Sequence, residues 1–161
     1  MRVARPAALV AIDVRRAAGG RAVPGAPGGR QLSRWASAAL GRRARGAQIS
    51  VLLVGPAASR ALNARYRHLD RPTNVLAFPA DAAARRTSGL LGDLVICPAL
   101  LRTEARAQGK SRVAHWAHLV VHGTLHLAGF DHERDADARR MRRREVRVLR
   151  GLGIANPYRA R

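Results

Sequence analysis

Four short runs rich in apolar and β-branched residues predict the strands of a small sheet. They cover residues 7–14, 47–55, 75–78 and 90–97. The second run, AQISVLLVG, is almost continuously apolar, which is typical of a strand buried on both faces. The polar, Ala/Arg-rich segment between the last two runs is interpreted as a loop.

Apolar residues that recur every three or four positions predict helices between and after the strands. These stretches are residues 32–41, 57–70, 99–108, 112–129 and 135–151. Ser111 and Gly129 are expected to cap the fourth, and Met141, Val148 and Leu149 to form the core-facing side of the fifth. Without an internal repeat or a second-domain boundary, residues 1–161 are predicted to form one α/β or α+β domain, loosely ordered at residues 1–5 and 155–161.

The net charge of the chain gives information about its binding partners. The chain has 30 basic and 10 acidic residues, a formal net charge of +20, and Lys110 is its only lysine. Such a surplus indicates a polyanionic partner such as nucleic acid, or an anionic membrane surface. Compositional bias of a GC-rich genome can explain arginine in place of lysine, but it does not explain the scarcity of acids.

The apolar runs and the cysteine count bear on the compartment. No run is long enough to cross a bilayer, and no membrane partner is expected. Cys97 is the only cysteine, which excludes an intrachain disulfide and favours a reducing compartment, so a cytoplasmic protein is expected. Within its apolar strand, Cys97 is interpreted as a small buried hydrophobe.

The stretch HGTLHLAGFDH predicts a metal site. His122 and His126 are four residues apart, so both imidazoles project from one face of a helix. Gly129 can turn the chain sharply, so that His132 reaches the same ion. Three neutral imidazoles leave an open fourth position, which is typical of a catalytic zinc site, although nickel or copper would also bind them.

Two neighbouring histidines share this helix. We interpret His118 as packing behind the metal site rather than binding the ion, and we expect His115 to be exposed. Gly123 occupies the position at which metalloproteases with this histidine spacing carry a glutamate base. Peptide cleavage must protonate a basic amine, whereas phosphodiester cleavage has a less basic leaving group and an anionic transition state. A cationic site without that base therefore favours phosphate over peptide.

Three blocks of sequence resemble the YbeY family of bacterial rRNA maturation factors. They are LNARYRHLDRPTNVLAFP, GDLVICP and HGTLHLAGFDHE, and the resemblance extends from about Ile49 to Leu152. It implies a single-strand-specific, metal-dependent endoribonuclease acting in rRNA maturation and ribosome quality control, with rRNA and the small ribosomal subunit as partners. It also implies an α+β fold with a small mixed sheet covered by helices, a metalloprotease-like zinc-binding helix, and one Zn²⁺ held by His122, His126 and His132.

The resemblance further implies that Arg67 meets RNA phosphate, so that Arg67 and His122 are the predicted catalytic residues. We interpret Asp70, Thr73 and Asn74 as holding a loop, and Asp93 as structural. Asn74 stands where many family members have aspartate, and Ala77 where serine is common, which weakens any acid–base role for this loop. Asp131 is a candidate for orienting an imidazole or a water.

Two other functions stay open at this stage. A noncatalytic ribosome-assembly factor would use the metal only to stabilise its fold. A metallopeptidase would rest on the histidine spacing alone, and Gly123 counts against it.

Overall fold

Helices cover both faces of one mixed sheet in a computed structural model, which describes residues 9–17, 23–130 and 133–159. Within these residues the strands are β1 (Ala11–Arg16), β2 (Gln48–Leu53), β3 (Val75–Pro79) and β4 (Leu90–Ile96). The sheet order is β1-β2-β4-β3, with β3 antiparallel to β4 and the other pairs parallel. The predicted α+β fold with a small mixed sheet is therefore confirmed. Residues 7 and 8 of the first predicted strand lie outside the described residues.

Six helices surround this sheet within the described residues. They are α1 (Gly29–Leu40), α2 (Pro56–Arg67), α3 (Ala82–Ser88), α4 (Pro98–Ala107), α5 (Arg112–Leu127) and α6 (Asp135–Gly151). The Ser111 hydroxyl caps α5 as predicted, accepting a hydrogen bond from the backbone N–H of Ala114 at 3.1 Å. None of the helices combines the length and apolarity needed to cross a bilayer, within the part of the chain that is described.

The short helix α3 corrects the loop that the sequence predicted between the last two strands. The Asp81 carboxylate caps this helix by accepting from the backbone N–H of Ala84 at 2.8 Å. Gly89, with φ of 74°, ends it in the left-handed region. Alanine and arginine have high helix propensity, so a polar segment between these two caps forms two helical turns.

The core lies on both faces of the sheet. The larger cluster joins one face to α1, α5 and α6, and the smaller cluster packs Leu62 and Leu100 of α2 and α4 against the other face. Met141, Val148 and Leu149 are buried as predicted, and Cys97 is buried within the smaller cluster. Because both faces are covered, the interior of the described part of the domain is built largely from apolar side chains.

The segment after α6 folds back onto the domain. The Lys110 ammonium donates a hydrogen bond to the Pro157 carbonyl at 2.8 Å, and the Tyr158 hydroxyl contacts Glu145 of α6. These hydrogen bonds attach residues 157 and 158 to Lys110, which precedes α5, and to α6. The loose order expected at residues 1–5 and 155–161 stays a prediction, and residues 1–5, 160 and 161 lie outside the described residues.

Candidate metal centre

Helix α5 brings His122 and His126 together at the predicted site. Their ring centroids are 4.7 Å apart, and their Nε2 atoms are 3.2 Å apart. Two nitrogens bound tetrahedrally to one zinc ion at about 2.0–2.1 Å lie roughly 3.3 Å from each other. The pair therefore fits two ligands of a single ion. His132, the third predicted ligand, and Asp131 lie outside the described residues, so their roles stay predictions.

Glu145 of α6 is the buried carboxylate behind this pair. Glu145 is 0% exposed to solvent. One carboxylate oxygen accepts a hydrogen bond from Nδ1 of His122, and the other accepts from the Tyr158 hydroxyl. An ionised carboxylate can only accept, so the hydrogen of the neutral His122 ring belongs on Nδ1. Nε2 is then the nitrogen with a lone pair, and it is the atom that faces His126.

The charge states of this group follow from its surroundings. Burial alone would raise the pKa of Glu145, but the nearby His118 ring and the hydrogen bonds from His122 and Tyr158 outweigh burial and lower this pKa to about 2. Burial and the hydrogen bond to Glu145 both raise the pKa of the Tyr158 phenol well above its ordinary value. Near neutral pH, Glu145 is therefore an anion and Tyr158 a protonated donor.

A second arrangement of possible ligands lies on the other side of His122. His118, His122 and Glu145 offer ligand atoms within 4.8 Å of one another. However, the Glu145 carboxylate accepts a hydrogen bond from Nδ1 of His122, on the opposite side of the ring from the Nε2 atom that faces His126. We therefore interpret Glu145 as a carboxylate that holds a metal-binding histidine, an arrangement common at protein zinc sites.

A small pocket joins the histidine pair to Arg67. The pocket has a volume of about 60 Å³ and is lined by Arg67, Val75, Ala77, His122, Gly123 and His126. Arg67 is the last residue of α2 and is exposed. No salt bridge between described residues involves its guanidinium. The structure thus places the predicted substrate-binding arginine beside two of the three predicted metal ligands.

The loop between α2 and β3 is held by hydrogen bonds, as its sequence predicted. The Ser59 hydroxyl donates to the Thr73 carbonyl at 2.6 Å and accepts from the Thr73 N–H at 2.9 Å. The Asn74 amide donates to Glu104 of α4 at 3.0 Å, and Asp70 accepts two hydrogen bonds from Arg60. This pairing lowers the pKa of Asp70, first through the hydrogen bonds and then through the charge of Arg60. These contacts fix the conformation of the loop.

The two other histidines of α5, His115 and His118, lie in different surroundings. For His118, Nε2 lies 3.3 Å from the Tyr158 hydroxyl oxygen, and its place behind the metal site stays a prediction. The prediction that His115 is exposed was wrong, because it is only 4% exposed and its Nε2 lies 2.7 Å from the Glu104 carboxylate. Helix α4 packs against that side of α5 and covers the ring.

Asp93 is exposed on β4 and is not among the residues lining the Arg67 pocket.

Glu145 and Tyr158 are the residues of this site that the sequence analysis missed. Glu145 is the only acid after Asp137, and it lies four residues after Met141 and three before Val148. A single carboxylate on the apolar face of an arginine-rich helix is a signal that could have found it. Tyr158 follows the helix in an irregular segment, where no periodicity indicates which way its side chain lies.

The close packing of α5 against the sheet explains why residue 123 is a glycine. A Cβ atom built there would lie 2.8 Å from Cδ2 of Leu94 and 3.4 Å from Cγ2 of Val75. Helix α5 therefore passes close over β3 and β4 at this residue. A glutamate, as metalloproteases have at this position, would require the helix to move away from the sheet or Leu94 to repack.

We expect Gly123→Ala to lower the free energy of unfolding by about 1–3 kcal/mol through overpacking against Leu94. Gly151→Ala is the matched control, because a Cβ on that helical glycine meets nothing within 4 Å. The control should change stability by less than about 1 kcal/mol, in the stabilising direction. Urea denaturation measures both, and equal effects of the two substitutions would contradict this close helix–sheet contact.

Comparison with known proteins gives three findings. The family described as Endoribonuclease YbeY matches residues 30–153. A protein of Azoarcus sp. (strain BH72) named Endoribonuclease YbeY is 46% identical over 160 residues, which is 97% of this chain. The chain spans only 62% of that relative's length.

The third finding concerns the fold alone. The solution structure of a protein from Thermotoga maritima has a TM-score of 0.54 at 22% identity. The similarity covers 92% of this chain and 99% of the other.

Proposed function

This chain belongs to the endoribonuclease YbeY family, and on that premise we propose that it is a zinc-dependent endoribonuclease that cleaves single-stranded RNA. Its proposed role is rRNA maturation and ribosome quality control in the cytoplasm, with rRNA and the small ribosomal subunit as partners. The observation that carries the proposal is the 3.2 Å approach of two imidazole Nε2 atoms in a pocket that also contains Arg67.

His122 and His126 would hold the zinc ion, with His132 proposed as the third ligand. The separation of the two Nε2 atoms and the carboxylate on Nδ1 of His122 both suit a zinc-binding imidazole pair. When bound, the ion supplies Lewis acidity toward water and toward phosphoryl oxygens.

Arg67 would bind the phosphate that is cleaved. Its guanidinium offers planar, paired N–H donors that match two phosphate oxygens, and it lines the same pocket as His122 and His126. Donors aimed at phosphate oxygens are most effective where negative charge grows during the reaction. Arg67 would therefore stabilise the transition state in addition to binding the strand.

The lining of the pocket supports phosphodiester rather than peptide cleavage. No carboxylate is among its lining residues in the described part of the chain, and Gly123 occupies the place of the peptidase base. Such a site cannot easily shuttle a proton to a departing amine, but it can stabilise an anion. The surrounding positive charge would hold the RNA strand, with an affinity that falls as salt rises.

Chelation tests this function together with its main rival, a metal that serves only the fold. We expect the zinc-loaded protein to cleave single-stranded RNA, to leave the matched duplex intact, and to lose activity on chelation. Because the core is apolar on both sheet faces, the metal-free protein should keep the circular dichroism spectrum of the zinc-loaded protein. Added zinc should then restore cleavage. Unfolding on chelation would favour the structural metal, and cleavage that survives chelation would contradict the proposal.

A further inference from the structure

A line of hydrogen-bonded side chains runs from the C-terminal segment to the proposed metal ligand. The Tyr158 hydroxyl donates to one oxygen of Glu145, and the other oxygen accepts from Nδ1 of His122. We infer that Glu145 and Tyr158 are positioning residues, which fix the ring orientation and tautomer of His122 so that Nε2 faces the ion. This inference rests on the proposed function only in taking His122 as a metal ligand.

Glu145 stands where packing alone favours an apolar residue. It shares the buried face of α6 with Met141, Val148 and Leu149, and it is 0% exposed. A buried carboxylate is unfavourable unless its oxygens are hydrogen-bonded, and both oxygens of Glu145 have partners. One of those partners is His122, so the carboxylate is placed where it can determine which nitrogen of that ring carries hydrogen.

The hydrogen bond to Glu145 has a specific consequence for His122. With hydrogen on Nδ1, the lone pair of the neutral ring belongs to Nε2, which lies 3.2 Å from Nε2 of His126. If the hydrogen moved to Nε2, this atom could no longer bind an ion. A carboxylate on the distal nitrogen also makes an imidazole a stronger metal ligand.

Tyr158 is held in place from several directions. Its backbone N–H donates to the Asn156 side chain at 2.9 Å, and the preceding carbonyl accepts from Lys110. The guanidinium of Arg142 lies 5.2 Å from the centroid of its ring. The hydroxyl is therefore a fixed donor, and by occupying one oxygen of Glu145 it leaves the other oxygen directed at His122. The C-terminal segment thereby becomes part of the metal centre without touching the ion.

Two substitutions test the inference without emptying the site. Glu145→Gln preserves volume but replaces one of the two acceptor oxygens with an NH2 donor, so it cannot present an acceptor both to Nδ1 of His122 and to the Tyr158 hydroxyl. Tyr158→Phe removes only the hydroxyl. Tyr66→Phe is the matched control, because this ring packs edge-on against Phe78 and its hydroxyl has no hydrogen-bond partner among the described residues.

Zinc affinity, measured by competition with a chelator, is the first readout. We expect Glu145→Gln to weaken zinc binding about 10- to 100-fold, Tyr158→Phe to weaken it several-fold, and Tyr66→Phe to leave it unchanged. The second readout is the ¹⁵N NMR signature of His122 in the metal-free protein. We expect the His122 hydrogen to be on Nδ1 in the parent protein. In Glu145→Gln and Tyr158→Phe, we expect a larger fraction of the molecules to carry it on Nε2. A purely structural role would change thermal stability without changing the tautomer.

The outcomes separate this inference from the proposed function. If zinc affinity and the His122 tautomer respond as expected but no RNA is cleaved, the positioning role stands and the nuclease assignment fails. If both variants keep the parent affinity and tautomer, the inference is overturned. It is also overturned if Glu145→Gln abolishes zinc binding while His126→Ala preserves it, because the ion would then lie among His118, His122 and Glu145. If Glu145→Gln fails to fold, the His122 tautomer measured in Tyr158→Phe tests the inference by itself.

Discussion

His126→Ala is expected to remove zinc from the protein and to lower RNA cleavage by about three orders of magnitude or more, because a site with one imidazole fewer loses the ion that supplies its reactivity. The fold should persist. His126 is partly exposed at the last turn of α5, so its removal leaves the buried neighbours Leu125 and Leu127 in place. RNA binding should also persist, since the arginines proposed to hold the strand are distributed over the surface.

Elemental analysis measures the zinc content, a cleavage assay measures the activity, and RNA binding is measured at several salt concentrations. The logarithm of the RNA affinity should fall linearly with the logarithm of salt concentration, by about 0.7 for each phosphate contacted, with the same slope in parent and variant. His68→Asn is the control, because His68 is exposed with φ of 59° and asparagine tolerates that conformation. Full cleavage by the purified, metal-free variant would contradict the role of His126.

Arg67→Ala is expected to reduce kcat/KM for RNA cleavage about 100- to 1,000-fold, as removal of a donor aimed at developing negative charge does in other enzymes. Zinc content and stability should stay unchanged, because the exposed guanidinium touches the pocket and not the core. Arg67→Lys should recover only part of the loss, since an ammonium keeps the charge but cannot bind two phosphate oxygens in one plane.

Arg65→Ala is the control for this prediction. Arg65 lies on the same helical turn and is also exposed, but its guanidinium lies 5.3 Å from the Tyr66 ring centroid and does not line the pocket. Its removal should weaken cleavage no more than the loss of one surface charge does. An equal loss of kcat/KM in the two variants would show that Arg67 acts through general surface charge and not through the reacting phosphate.

The fold was largely predictable because its elements satisfy local rules. Ser111 caps α5, Pro56 and Pro98 stand in first helical turns, and apolar runs mark the strands. The miss at α3 came from interpreting an Ala/Arg-rich segment as polar loop, although Asp81 and Gly89 supplied both caps. The antiparallel place of β3 at the sheet edge depends on the long-range pairing of Val75 with Ile96, which no local pattern contains.

The site was predictable where its residues are close in sequence. The four-residue spacing of His122 and His126 suffices on a helix, because the helix itself sets their distance. Arg67 was found only through resemblance to a family, since its side chain reaches the pocket from another helix and resembles many other arginines in composition. Glu145 and Tyr158 lie 23 residues beyond His122 and 13 residues farther on, respectively. Their contacts depend on how α6 packs against α5, and hydrophobic periodicity predicts only that the face of Glu145 is buried.

X-ray diffraction from crystals of the zinc-loaded protein, with anomalous differences collected at the zinc edge, would locate the ion itself. We expect one ion about 2.0–2.1 Å from Nε2 of both His122 and His126, facing the pocket of Arg67, with Glu145 hydrogen-bonded to Nδ1 of His122. An anomalous peak among His118, His122 and Glu145, or no peak beside His126, would contradict it.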